Sequence, residues 1–163
     1  QELKPDATIF RPGTLYGVSP RMRYDLVTNI FIAQAMKGEK ITVNGGDQAR
    51  PIIHLRDAVK GYLLALEKDL PGAYNLSYTS YTIYQIAEIV ATRFDCEIVI
   101  NPKTEVRSTW MSNAKLRNHG FNPRIGILDT IKEFKNIDSW QQYGSDCYSN
   151  LKTLKKLIQE GKV

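Results

Sequence analysis

The chain has 163 residues, of which 42% are hydrophobic and 24% are charged, a composition typical of one globular domain and unlike that of disordered or membrane-spanning proteins. No apolar run approaches the roughly 20 residues that cross a bilayer, and the first residues do not resemble a signal peptide, so we expect a cytoplasmic protein. The formal net charge of +5 fits binding to nucleic acid, to a membrane surface or to an anionic small ligand.

Strands and helices alternate in the first half of the chain. Residues 11–13 (Arg-Pro-Gly) are a turn signal that ends the first β-prone run, while Asp25 and Gly38 have the residue types that begin and end a helix. A Gly-rich turn at 45–47 separates two further strands, and Asp57 opens a second helix. With the apolar spacing, these signals predict strand 7–10, helix 25–37, strands 41–44 and 50–55, and helix 57–66.

The second half continues the alternation. Thr82 and Gln85 form a capping box, and Ser112 and Gly120 bracket a short helix. The predicted elements are strand 73–76, helix 82–94, strand 98–100, helices 112–119 and 128–134, and a final helix with an apolar stripe at Leu151, Leu154, Leu157 and Ile158. This order predicts an α/β fold with parallel strand pairing. Because no helix precedes the first strand to cover it, we expect the chain to begin within a larger fold.

Five sequence blocks then suggest a family. They are RPGTLYG (11–17), RMRYDLV (21–27), GGDQARPIIHLRDA (45–58), YNL (74–76) and a last block between residues 106 and 123 that contains VR, SNAK and GFNP. In order and spacing they resemble extended short-chain dehydrogenase/reductases of the NAD-dependent nucleotide-sugar epimerase/dehydratase family. The resemblance implies that residues 1–135 hold the carboxy-terminal part of a Rossmann-type parallel sheet plus a small mixed α/β substrate-binding domain. Residues 136–163 would form a carboxy-terminal extension ending in a helix.

The same resemblance implies a function. Family members hold a nucleotide-diphosphate sugar between two domains, and bound NAD or NADP oxidises and re-reduces the sugar. The family's G-x-x-G-x-x-G cofactor loop does not occur in this sequence, and the catalytic Tyr-x-x-x-Lys should lie on a helix before the first strand. The spacing from Tyr148 to Lys152 follows every family block, so we interpret it as a coincidence. We therefore expect no catalytic residue here, inactivity of this chain alone and a missing amino-terminal Rossmann half as partner. Family members commonly form homodimers, and the resemblance leaves the oligomeric state of the complete enzyme open.

The resemblance also implies the substrate-binding residues. Arg50 and Arg107 match positions that grip the diphosphate, where a planar guanidinium suits two phosphate oxygens. A structural salt bridge for Arg50 and an exposed loop position for Arg107 are the alternatives. Thr42 and Asn44 match the strand that borders the nucleotide base. Asn44 departs from the aromatic or aliphatic residue usual there, which leaves the base open.

Two further segments match family sites. Asp25 and Leu26 occupy the helix start that faces the nucleotide, although a plain cap and a core leucine explain them equally well. Pro12 and Gly13 match the cofactor side, and Thr14 the substrate side, of the loop between nicotinamide and sugar, with an ordinary turn as the alternative.

Other polar residues have plainer interpretations. Cys96 and Cys147 lie outside any C-x-x-C spacing, so we interpret both as ordinary thiols. His54 is expected in the core and His119 at a helix end, and no metal site is expected. The rival function is a catalytically inactive nucleotide-sugar or protein-interaction module. Nucleic-acid binding lacks a recognisable motif.

Overall fold

The computed structural model describes residues 6–102 and 107–162. Its elements are β1 (Thr8–Pro12), β2 (Thr14–Tyr16), α1 (Val27–Met36), β3 (Ile41–Asn44), β4 (Ala49–His54), α2 (Leu55–Lys68), β5 (Gly72–Leu76), β6 (Thr79–Thr82), α3 (Ile83–Phe94), β7 (Ile98–Asn101), α4 (Ala114–Arg117), α5 (Ile127–Phe134) and α6 (Asn150–Gln159). Two 3-10 turns, Ser139–Gln142 and Asp146–Tyr148, precede α6.

The described strands form three small sheets. β1 pairs with β5 and β3 pairs with β7, both in parallel. β4 lies between β2, which runs parallel to it, and β6, which runs antiparallel. Parallel pairs joined by helices confirm the predicted α/β architecture.

Each predicted helix and strand is present, but three helix starts were wrong. Leu26, not Asp25, is the N-cap residue of α1. α2 begins two residues before Asp57, because the side chain of His54 accepts a hydrogen bond from the N–H of Arg56 and so caps it. α4 follows Asn113 rather than Ser112.

The larger core cluster lies among α1, α3, α5 and β3. Ile32, Val43, Ile86 and Val90 are fully buried in it, and Ile131 is 1% exposed. The helical and strand spacings of these residues place one apolar face of each element inward.

A second cluster lies beneath α2. There Leu76 of β5 and Leu116 of α4 are fully buried, and Phe121 is nearly so. Gly61 lets α2 approach closely, since a Cβ at this position would collide with the side chain of Leu76. A larger residue at position 61 would therefore force the buried Leu76 side chain to move.

Asp57 joins α2 to the loop before α5. Its side chain is fully buried, and Oδ2 accepts hydrogen bonds from the N–H groups of Arg124 and Ile125 at 2.7 and 2.8 Å. Lys60 Nζ lies 2.9 Å from Oδ1. Burial raises the pKa of Asp57, but these three donors outweigh it and hold the pKa below its ordinary value.

The last segment packs back onto the larger cluster. Trp140, Tyr143 and Tyr148 are partly buried against it. On α6, Leu157 is half-buried, while the other members of the predicted stripe are exposed: Leu151, Leu154 and Ile158.

Candidate functional site

A cleft of about 460 Å³ lies between the start of α1 and the strands β3 and β4. Its lining residues are Thr14, Asp25, Leu26, Val27, Ile30, Phe31, Thr42, Asn44, Gln48, Arg50 and Ile83. We call it the α1 cleft. Six of the seven residues that the sequence suggested for substrate binding line this cleft, although they come from four separate segments of the chain.

β3 supplies the floor of the α1 cleft through strand alternation. Ile41 and Val43 are fully buried, and the intervening Thr42 and Asn44 are exposed toward the cleft. On the neighbouring strand, Asn101 Nδ2 donates to Asn44 Oδ1 at 3.2 Å. Asn44 is thus held by its neighbour at the position where the nucleotide base was expected.

Gln48 is a lining residue that the sequence analysis missed. It is 6% exposed, its Nε2 donates to the carbonyl of Asn44 at 2.6 Å, and its Oε1 accepts from the N–H of Gly46 at 2.8 Å. Gly46 has a φ of 129°, which disfavours other residues. Gln48 therefore fixes the glycine turn between β3 and β4, a role that becomes visible only when both partners are known.

Arg50 lies where the α1 cleft meets a second cleft of about 490 Å³, which we call the strap cleft. Arg107, Thr109 and Met111 line the strap cleft together with Pro12 and Gly13; Thr14, Arg50 and Pro51 complete its lining. Arg50 Nη1 donates to the carbonyl of Arg107. The two arginines, 57 residues apart in sequence, are therefore neighbours beside one cleft junction.

A strap of residues 107–113 positions Arg107. The N–H of Thr109 donates to the carbonyl of Ala49 at 3.0 Å, and the N–H of Ala49 donates to Ser108 Oγ at 2.9 Å. Further along, the N–H of Met111 donates to Ser80 Oγ at 3.0 Å. The strap thus runs across β4 and β6, and alternate residues, from Arg107 to Met111, face the cleft.

Gly13 has a packing reason of its own. A Cβ on Gly13 would lie 3.0 Å from the backbone carbonyl of Pro51, a tighter contact than side chains usually make, so the residue between β1 and β2 approaches β4 closely. Pro12 and Gly13 both line the strap cleft, which places them beside Arg107. The glycine at position 13 is explained by this approach, and its assignment to the cofactor rests on the family resemblance.

Asp25 is engaged by protein groups at the rim of the α1 cleft. Arg23 donates to its carboxylate through Nε and Nη2, at 3.0 and 3.1 Å, and the N–H of Asn150 donates to Oδ2 at 3.0 Å. Burial raises the pKa of Asp25, but the bonds from Arg23 and Asn150 outweigh it and the pKa lies below its ordinary value. Asp25 therefore bonds the first N–H of α6 instead of capping α1.

A third cleft of about 440 Å³ adjoins the α1 cleft and shares Thr14 and Leu26 with it. Arg21 and Arg23 lie on its wall, and the buried Asn29 accepts from the N–H of Gly17 at 3.2 Å. The α1 cleft is therefore flanked on two sides by arginines.

The other residues weighed in the sequence lie in secondary-structure elements or pack against neighbouring side chains: Tyr148, Lys152, His54 and His119. Tyr148 ends a 3-10 turn while Lys152 lies in α6, so the two residues do not share one helix. His54 is 1% exposed; burial lowers its pKa despite Glu133, whose Oε2 lies 3.1 Å from Nε2. His119 follows α4 and packs edge-on against Tyr74.

Within residues 6–102 and 107–162, His, Cys, Asp and Glu side chains form no group of three or more that could hold a metal ion. None of the helices found there has the length and apolar character needed to cross a membrane.

Comparison with known sequences connects this geometry to a family. Residues 1–77 match the NAD dependent epimerase/dehydratase family. UDP-glucuronic acid decarboxylase 5 of Arabidopsis thaliana is 35% identical over 126 residues, which are 75% of this chain and 33% of that protein. UDP-glucuronic acid decarboxylase 4 of the same plant is 33% identical over 144 residues, or 80% of this chain and 32% of the relative. The chain thus spans about a third of the length of the curated relatives it matches.

Solved structures show the same fold. The UDP-glucose 4-epimerase of Thermotoga maritima, determined with UDP-glucose, superposes with a TM-score of 0.67 and 25% identity over 79% of this chain and 46% of its own. A dTDP-glucose 4,6-dehydratase of Bacillus anthracis, determined with NAD, superposes with a TM-score of 0.70 and 18% identity over 83% of this chain and 47% of its own. The resemblance to the NAD-dependent epimerase/dehydratase family is therefore confirmed, in sequence over residues 1–77 and in Rossmann-type fold over about four fifths of the chain.

Proposed function

We propose that this chain is the substrate-binding portion of an NAD(P)-dependent nucleotide-sugar epimerase or dehydratase, and that it binds the nucleotide diphosphate of an NDP-sugar. The observation that carries the proposal is the meeting of Arg50 and Arg107 where the α1 cleft joins the strap cleft. Two arginine residues beside one junction suit a diphosphate, whose oxygens can accept paired N–H donors. The UDP-glucose bound by the Thermotoga neighbour has this chemistry.

The α1 cleft sets the orientation of the ligand in this proposal. Thr42 and Asn44 on β3 border the base, while Leu26 and the start of α1 face the nucleotide. The first N–H groups of a helix have no partners within it and favour anions. Leu26 gives α1 no side-chain cap, so the helix start can be turned to the ligand. The sugar then extends past Thr14 toward the third cleft.

The cofactor is assigned mainly to another part of the enzyme. NAD or NADP, when bound, supplies the hydride exchange with the sugar. In this chain only Pro12 and Gly13 are proposed to touch it, and neither provides a phosphate-binding loop. We assign the cofactor loop and the catalytic Tyr-x-x-x-Lys to an amino-terminal Rossmann half.

An exposed surface supports a partner of that kind. Val59, Tyr62, Leu63 and Leu66 follow the i, i+3, i+4, i+7 spacing along α2 and are 55%, 49%, 51% and 80% exposed. We call these four residues the α2 stripe. Apolar helix faces of this width normally pack against another element.

The α2 stripe continues onto the edge of a sheet. The ring of Tyr62 meets Phe10 of β1 edge-on, with centroids 4.8 Å apart. β1 pairs with β5, and no other described strand pairs with β1. A strand beside β1 and a helix over the α2 stripe are what a parallel β/α half would contribute. We propose the amino-terminal Rossmann half as the occupant of this surface.

Substitution of the two arginines tests the proposed function. Arg50→Ala or Arg107→Ala should weaken binding of UDP-glucose by about 1.5 to 3 kcal/mol, the value of a hydrogen bond to a charged group. Arg50→Lys should restore only part of the loss, because an ammonium lacks the planar fork. Isothermal titration calorimetry measures each affinity, and Arg117→Ala on α4 controls for loss of positive charge. Equal affinities for the unsubstituted chain and the three Arg50 and Arg107 variants, or no binding by the unsubstituted chain, would contradict the proposal.

A further inference from the structure

The start of the last helix is bonded to the residues just before α1. The N–H of Asn150 donates to Asp25 Oδ2 at 3.0 Å, and Asn150 Oδ1 accepts from Arg21 Nη1 at 2.6 Å. The N–H of Tyr24 donates to the carbonyl of Tyr148 at 3.0 Å. Three successive contacts therefore tie residues 21–25 to residues 148–150, across most of the length of the chain.

Asn150 is well placed for this contact because it is the first residue of α6. Its N–H has no acceptor within the helix, so it can donate to another segment without breaking a helical bond. The Asp25 carboxylate at this position also interacts favourably with the positive end of the helix dipole. The bond thus satisfies both partners.

Tyr24 anchors the same contact from the other side. Its side chain is 2% exposed, and its ring meets those of Tyr148 and Phe134 edge-on at centroid distances of 5.4 and 6.2 Å. Its hydroxyl is hydrogen-bonded to Ser139 Oγ at 2.8 Å. The residue before Asp25 is therefore fixed by three positions of the carboxy-terminal third of the chain.

We propose that Asn150 is a positioning residue of the α1 cleft, which fixes the start of α1 through Asp25. The inference rests on the proposed function, because it assigns a role within the same binding site. Asp25, Leu26 and Val27 follow one another and all line the α1 cleft. A shift of Asp25 therefore moves the two residues that would face the nucleotide.

The first position of a helix permits a selective test. Proline is well tolerated there, and Ser149 has φ −124° and ψ 118°, which suit the residue before a proline. Asn150→Pro thus removes the N–H that Asp25 accepts while α6 can still form. Asn150→Ala is the matched control, since it keeps this N–H and loses only the side-chain contact with Arg21.

We expect Asn150→Pro to weaken UDP binding about three- to tenfold, which lies in the lower part of the range of coupling between contacting residues. Asn150→Ala should change it by less than about twofold. In an Asp25→Ala background, Asn150→Pro should have little further effect, because the proposed path runs through that carboxylate. General loss of folding would not give this pattern. Hydrogen exchange of residues 26–30 without ligand gives a second measurement, and exchange should be faster with Asn150→Pro than with Asn150→Ala.

The outcomes separate the two proposals. If the unsubstituted chain binds UDP and Asn150→Pro changes neither binding nor exchange, the positioning role is wrong and the proposed function stands. The positioning role is also wrong if Asn150→Pro has its full effect in the Asp25→Ala background. If the unsubstituted chain does not bind UDP, the proposed function fails, and this inference fails with it.

Discussion

Asp57 illustrates how one buried carboxylate can hold a loop. It accepts from two backbone N–H groups of the 124–125 loop and pairs with Lys60 of its own helix. Tyr16 bonds the same loop, since its hydroxyl donates to the carbonyl of Ile125 at 2.7 Å. The loop is therefore held by two side chains, Asp57 of α2 and Tyr16 of β2.

Removal of the Asp57 carboxylate should destabilise the chain. Asp57→Ala leaves two part-buried N–H groups without their acceptor and Lys60 without its partner, and we expect a loss of about 3 kcal/mol in the free energy of unfolding at pH 7. Because the folded pKa of Asp57 is lowered, its contribution is present above the unfolded pKa of about 3.9 and is lost as the pH falls through the folded pKa.

Urea denaturation between pH 7 and pH 2 measures both effects. The unsubstituted chain should lose stability toward acid more steeply than Asp57→Ala. Asp138 is an exposed carboxylate, so Asp138→Ala should not change how the free energy of unfolding depends on pH. Parallel pH curves for Asp57→Ala and the unsubstituted chain would argue against a stabilising role of the ionised carboxylate.

At the scale of elements, sequence signals succeeded where both partners are close in the chain. The capping box of α3 joins Thr82 and Gln85, three residues apart, and it was predicted with its helix. β2 and β6 were missed, because three- and four-residue strands carry too little alternation and depend on β4 for their pairing. The prediction that Asp25 begins α1 was wrong for a similar reason, because the helix N–H that bonds its carboxylate belongs to Asn150, 125 residues later.

The α2 stripe should drive self-association when the chain is alone. α2 is apolar on both sides, with Ala58 and Ala65 buried inside and the stripe exposed outside. The double substitution Leu63→Gln and Leu66→Gln should reduce association while changing the free energy of unfolding by no more than about 0.5 kcal/mol, as at most exposed sites. Sedimentation velocity over a concentration series measures the association.

Glu67→Gln, a change at a neighbouring exposed position, is the control and should leave association unaltered. If the Leu63 and Leu66 double variant associates as strongly as the unsubstituted chain, the α2 stripe is not the contact surface. The free edge of β1 would then be the next surface to substitute.

Over the whole molecule, the candidate site gathers residues from α1, β2, β3, β4 and the strap. Through the family blocks the sequence suggested seven substrate-binding residues, and six of them line the α1 cleft. Gln48 and Asp25 also lie within blocks, but the sequence did not reveal the hydrogen bonds of Gln48, which form only in the folded turn, or the contact of Asp25 with α6, which joins segments 125 residues apart. The proposed roles of Arg50 and Arg107 await the binding experiments.

The chain alone should neither bind NAD nor convert a sugar nucleotide. The chemistry needs a phosphate-cradling loop and a tyrosine base, and Tyr148 and Lys152 lie in separate elements. Calorimetry with NAD and turnover assays over a panel of sugar nucleotides should both give no signal. Addition of an amino-terminal Rossmann half from the same enzyme should restore both NAD binding and turnover. Micromolar NAD binding by the chain alone would contradict the assignment of the cofactor site to that half.

If that added half restores neither activity, the alternative of a catalytically inactive nucleotide-sugar or protein-interaction module gains support. UDP binding by the chain would then be its function rather than one part of a reaction. The arginine substitutions would still report on that binding.

The bond between Asp25 and Asn150 also bears on biosynthesis. The two residues are 125 positions apart, and ribosomes add about 5 to 20 residues per second, so Asp25 emerges about 6 to 25 s before its partner. During that interval Tyr24 lacks the aromatic neighbours that later bury it. The start of α1 therefore gains its contacts with residues 134–150 only after that segment has been made.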